Sequence, residues 1–124
     1  MSRPLRIAVA DDERDSREYI QELLERQGHE VVVAEDGRRL VELCREFRPD
    51  VVVTDYRMPG LDGLQAVVEI NRERVVPVIL FSGRCDLDLA GCPGAECVVV
   101  LLTKPIRQAS LVAAVADLAP RAGE

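Results

Sequence analysis

Val51-Val52-Val53-Thr54 runs directly into Asp55 and then into the loop Tyr56-Arg57-Met58-Pro59-Gly60. Four consecutive β-branched residues make a strand covered on both faces, as parallel sheets require. Three other apolar runs end the same way. Leu5 to Ala10 runs into Asp11-Asp12, Val78 to Phe81 into Ser82, and Val98 to Leu102, then Thr103, into Lys104-Pro105. If these runs are neighbouring parallel strands, their polar ends share one edge of one sheet. In doubly wound sheets that edge is where ligands bind.

Working outward, strand and helix patterns alternate five times. Strands are expected at about 5–10, 30–34, 51–54, after Pro77 and at about 97–102. Helices are expected at about 14–27, after Asp36, at about 62–73 and at about 107–119. The first buries Ile20, Leu23 and Leu24 and stops at Gly28. The second is capped by Asp36 and places Leu40, Leu43, Cys44 and Phe47 on one face. The third buries Leu64, Val67, Val68 and Ile70, and the last presents Leu111, Val112, Val115 and Leu118. Such alternation means an α/β fold with a doubly wound, five-stranded parallel sheet.

With 124 residues the chain makes one domain, 1–119, with 120–124 as a tail or linker stub. Its composition, 48% hydrophobic and 31% charged, is that of an ordinary globular protein. There is no membrane-length apolar run and no signal-peptide pattern at Met1-Ser2-Arg3-Pro4, so a cytoplasmic location is expected. A net charge of −6 without a basic stripe argues against a nucleic acid partner, and no membrane partner is expected.

The polar strand ends read as a phosphoryl-acceptor site. Asp11, Asp12 and Asp55 would repel one another, and a divalent cation relieves this. Magnesium prefers oxygen ligands. Asp12 and Asp55 can ligate directly, Asp11 through water, with a backbone carbonyl after Asp55. Asp55 would then be a carboxylate nucleophile forming an acyl phosphate. Lys104, the Ser82 hydroxyl and a backbone N–H at Gly83 would neutralise the phosphoryl oxygens. Lys104 is the only lysine among 16 basic residues, and its compact charge suits one oxygen in a tight pocket.

Together these residues resemble the receiver domain of bacterial two-component response regulators. The resemblance rests on Asp11-Asp12, on Asp55 through Gly63 with its D-x-x-M-P-x-x-D-G pattern, on Ser82-Gly83 and on Lys104-Pro105, and it spans nearly the whole chain. It implies the flavodoxin-like strand order 2-1-3-4-5, Asp55 as phosphoacceptor, and Mg2+ held by Asp12, Asp55 and the Arg57 carbonyl. It implies that Ser82 and Lys104 steady the phosphoryl group and that the Lys104-Pro105 peptide is cis. The donor would be a phosphohistidine on a sensor histidine kinase or a histidine phosphotransfer protein. The output would be a population shift on the surface of the fourth helix, fifth strand and fifth helix, read by a downstream protein or a second copy. Such a domain is not a turnover enzyme: it catalyses only its own phosphoryl transfer and autodephosphorylation.

Three features depart from the family pattern. Leu101 stands where the family usually has Phe or Tyr, three positions before the lysine. Gly91, Pro93 and Gly94 fall where a fourth helix would lie, between Arg84 and Ala95, so that helix is expected to be short or irregular. Arg57 and Arg84 flank the site. The rival reading is a receiver-fold interaction module that signals without phosphorylation. Other classes fit less well. There is no G-x-x-x-x-G-K-[ST] loop, few aromatic residues to stack a flavin, and no D-x-D at the first strand as in aspartyl-phosphate phosphatases.

The remaining reactive side chains have plainer expectations. Cys44 fits a buried helix face and Cys97 a strand start, and Cys85, Cys92 and Cys97 lack zinc spacing. A regulatory Cys85–Cys92 disulfide is the alternative to free thiols. His29, the only histidine, follows Gly28 and is expected to be a surface turn residue, not a phosphohistidine donor.

Overall fold

The computed structural model describes residues 4–83 and 88–122, so Arg84 and Cys85, with the disulfide considered for the latter, lie outside the described residues. The elements are β1 (Arg6–Ala10), α1 (Arg14–Arg26), β2 (Glu30–Ala34), α2 (Gly37–Phe47), β3 (Val51–Asp55), α3 (Gly63–Asn71), β4 (Val78–Ser82), β5 (Val98–Thr103) and α4 (Gln108–Ala122). All strand pairs are parallel, in the order β2-β1-β3-β4-β5. Strand order reverses between β1 and β3, which opens a crevice at their carboxyl ends.

Alternation along the strands supplies two cores. Ile7, Val9, Val51, Val53, Ile79 and Phe81 face α1 and α4. Ala8, Ala10, Val52 and Val78 face α2 and α3. β3 and β4 are buried along their whole length, which is why they read as solid apolar runs. The helix starts are fixed locally. The Asp36 carboxylate accepts from the Arg39 N–H at 2.8 Å, and Asp62 forms a capping box with Gln65. Beyond α1, Gly28 adopts φ +94°, which suits its role as a stop.

The structure corrects the sequence expectations in several places. The fourth helix was expected to be short or irregular, and among the described residues between β4 and β5 there is only a 3-10 turn, Ala95–Cys97. Gly91 at φ +79° and Gly94 at φ +91° bend the chain, and Pro93 between them cannot extend a helix. Cys97 therefore ends this turn and does not start β5. Val68 and Phe47 are half-buried. α4 continues past 119 to Ala122.

His29 is the clearest correction. It is 9% exposed, and its Nδ1 accepts the Leu5 N–H at 3.0 Å. Leu5 lies just before β1, so the imidazole supplies a bond that the sheet ladder does not. Burial lowers the imidazole pKa from 6.5. Because protonated Nδ1 cannot accept, the stabilisation is complete above about pH 6.5 and is lost as pH falls through the lower folded-state value. Between pH 7 and 5, wild-type Tm should fall more than that of His29→Gln, by up to ~1.4 kcal/mol per pH unit in stability. Parallel Tm profiles would contradict this.

Candidate functional site

Strand register brings the polar residues to one edge. Asp11 follows β1, Asp55 ends β3, Ser82 ends β4, and Lys104 follows β5. Asp55 pairs with Phe81 and Ser82 with Thr103, so the strand ends step outward around Asp55. The Asp11 N–H donates to the Ala34 carbonyl at 3.1 Å, and the Lys104 N–H to the Ser82 carbonyl at 2.7 Å. These bonds fix the backbone on both sides of the crevice.

At its centre Lys104 Nζ donates to Asp55 Oδ2 at 2.8 Å. The Asp55 side chain is 7% exposed and that of Lys104 31%. The ammonium also lies 5.3 Å from the centroid of the Phe81 ring, which walls one side. Asp11, Asp12 and Asp55 each offer an oxygen, all within 4.8 Å of one another. Asp11 is fully buried and Asp12 exposed. Asp11 Oδ1 accepts the Glu13 N–H at 2.9 Å, while Asp11 Oδ2 is buried with no hydrogen-bond partner. A buried carboxylate oxygen without a donor suits a cation.

The titration shifts agree with this charge balance. Burial raises the Asp55 pKa; the Lys104 hydrogen bond and charge oppose it, and Asp11 and Asp12 add to it. Burial alone would lower Lys104, but Asp55, Asp11 and Glu13 outweigh it and hold the ammonium above its usual range. Three carboxylates face one ammonium, so the site favours added positive charge.

Sequence reading missed the residues that hold Asp55 in place. Thr54 Oγ1 donates to the Asp55 carbonyl at 3.0 Å, the Tyr56 N–H to the Phe81 carbonyl at 2.9 Å, and the Gly63 N–H to the Tyr56 carbonyl at 2.7 Å. A Cβ on Gly63 would lie 2.4 Å from the Asp55 carbonyl oxygen, and one on Gly37 2.4 Å from that of Leu61. Gly63 was visible only as the last letter of a motif. Nothing marked Gly37, because its need for glycine arises from contact with a distant loop.

The other expected residues are placed as follows. Ser82 is buried at the site edge. Gly83 is exposed beside it, and a Cβ there would meet nothing within 4 Å, so packing does not demand glycine. Arg57 is exposed in the loop two residues past Asp55. The Lys104-Pro105 peptide is cis. Leu101 pairs with Leu80 and is 40% exposed.

Sequence and structural relatives agree with this fold. The family model described as response regulator receiver domain matches residues 7–116. The transcriptional regulatory protein PdtaR of Mycobacterium tuberculosis is 33% identical over 113 residues, covering 90% of this chain and 55% of the relative. The sensor histidine kinase AruS of Pseudomonas aeruginosa is 32% identical over 119 residues, covering 92% of this chain and 12% of the relative. The chain thus spans about half the length of the first relative and a small part of the second. A response regulator receiver domain from Clostridium thermocellum superposes with TM-score 0.84 at 33% identity, covering 94% of each chain. The receiver domain of the Francisella response regulator 1452 gives 0.83 at 29%, covering 94% of this chain and 98% of that one. Among the described residues no helix is long and apolar enough to cross a membrane.

Proposed function

This chain belongs to the response regulator receiver domain family, and from that membership we propose that Asp55 accepts a phosphoryl group from a phosphohistidine donor. The donor would be a sensor histidine kinase or a histidine phosphotransfer protein, in the cytoplasm. The observation that carries the reading is the 2.8 Å contact between the sole lysine and a buried aspartate flanked by two more carboxylates.

The donor set fits magnesium. Asp12 and Asp55 would hold the ion directly and Asp11 through water, with the Arg57 carbonyl as a further ligand. Once bound, it supplies the positive charge that the carboxylates and phosphoryl oxygens share. An Asp55 carboxylate oxygen forms the new P–O bond while the donor P–N bond breaks, its electron pair leaving on the imidazole nitrogen. Lys104, released from Asp55 Oδ2, follows the charge onto a phosphoryl oxygen. The Ser82 hydroxyl and the Gly83 N–H donate to the others. Water later cleaves the acyl phosphate, so the domain is a timed signal and not a turnover enzyme.

A second reading is a receiver that signals by protein contact without phosphorylation. The exposed Leu101, in place of an aromatic side chain, and the non-helical segment before β5 favour it. Intact-mass measurement after incubation with acetyl phosphate and Mg2+ separates the two. One phosphoryl group should add to wild type and none to Asp55→Ala. Equal uptake by both would refute Asp55 as acceptor, and no uptake by either would favour the second reading.

A further inference from the structure

The C-terminal turns of α2 and α3, at the end of the sheet opposite Asp55, line a pocket of about 130 Å3 that is partly open to solvent. Val41, Ile70, Val76 and Cys44, all buried, form its apolar wall. Burial pushes the Cys44 thiol up to about 12, so it stays neutral and adds no negative charge. Arg45, Arg48, Arg74 and Glu73 form the rim. Three guanidiniums thus stand against one carboxylate, in a protein whose net charge is −6.

These arginines are unequally engaged. Arg45 Nε is paired with Glu73 at 2.9 Å. Arg74 Nη1 donates to the Pro49 carbonyl at 2.7 Å, which leaves its other donors. Arg6 Nη2 already serves the Phe47 carbonyl, at 2.6 Å, at the end of α2. The Arg48 guanidinium has no hydrogen bond or ion pair among the described residues. The helix-end carbonyls are therefore served by other arginines, and one exposed cation is left at the mouth of an apolar cavity.

We infer that this cavity binds a small carboxylate with an apolar body about the size of a benzene ring. Sealed apolar cavities of ~150 Å3 admit benzene, and this solvent-open pocket offers a comparable volume. The ring would cover Val41, Ile70 and Val76, and the carboxylate would meet Arg48 and the remaining donors of Arg74. Inorganic phosphate would leave the apolar wall uncovered, and a neutral hydrocarbon would leave the guanidinium unmatched.

The test is a titration of the 15N-labelled chain with benzoate and with benzyl alcohol, read by amide chemical shifts. Benzoate should shift Val41, Cys44, Ile70 and Val76 saturably, with benzyl alcohol bound about tenfold more weakly. Arg48→Gln, a change at an exposed and unpaired side chain, should weaken benzoate by a similar factor. Equal binding of the alcohol, an unchanged affinity in Arg48→Gln, or no saturable shift would overturn the inference. Shifts centred on Asp55 and Lys104 would also overturn it, because benzoate would then be occupying the phosphoacceptor cleft. Neither result bears on whether Asp55 accepts a phosphoryl group.

Discussion

Gly63→Ala is expected to destabilise the fold by about 3 kcal/mol and to slow phosphoryl uptake at Asp55. Helix propensity alone predicts the opposite sign, since Gly63 is the first residue of α3 and alanine is favoured over glycine by about 1 kcal/mol. Packing decides the outcome. The new Cβ would sit 2.4 Å from the Asp55 carbonyl oxygen and 3.1 Å from Leu80 Cδ1. The carbonyl belongs to the last residue of a strand buried along its length, so neither partner can move freely. Relief would require α3 to shift away from β3, and that shift would pull on the acceptor aspartate. A domain of this size has a total stability of ~5–15 kcal/mol, so the loss should lower Tm by roughly 10 °C. Gly83→Ala is the control. Its Cβ meets nothing within 4 Å, and its Tm should stay within about 2 °C of wild type. Equal Tm values for the two variants would refute the packing argument.

Lys104→Met should lower phosphoryl uptake from acetyl phosphate by about 100-fold and destabilise the Mg2+-free protein by about 2 kcal/mol. Removing one member of a buried ion pair commonly costs ~3–5 kcal/mol, because the other charge is left unpaired. Here the lysine side chain is 31% exposed, and water screening reduces the loss. The remaining carboxylates would face one another with no protein cation among them. Adding Asp55→Asn should restore most of the stability but none of the uptake, because the repulsion is removed together with the acceptor. Lys104→Arg should not rescue uptake, since a planar fork cannot replace a point charge beside the Phe81 ring. Urea unfolding and timed intact-mass measurements read the two effects separately. If the double variant were as unstable as Lys104→Met, the unpaired-charge explanation would be wrong.

Much of the fold was legible because the signals were local and periodic. Valine runs marked β3, the i, i+3, i+4 spacing marked α2, and Asp36 marked a helix start where its carboxylate does accept the third N–H. Gly91, Pro93 and Gly94 announced a poor helix, and the described part of that segment is a turn. His29 was misread because its neighbours describe a turn, whereas the imidazole accepts the N–H of Leu5, a residue 24 positions earlier. Cys97 was misplaced by one element because the apolar run begins before strand pairing does.

Sequence alone determined which chemical groups stand at the strand ends: three carboxylates, a hydroxyl and the chain's one ammonium, each closing an apolar run. The order of residue types was sufficient, since a parallel sheet must deliver its carboxyl ends to a common edge. Tertiary structure decided how those groups meet. It placed Lys104 Nζ 2.8 Å from Asp55, left Asp11 Oδ2 buried without a donor, and set any Cβ at positions 37 and 63 against a backbone carbonyl. Such facts depend on contacts between segments far apart along the chain, where a few tenths of an ångström separate contact from clash, and no local pattern of residues records that distance.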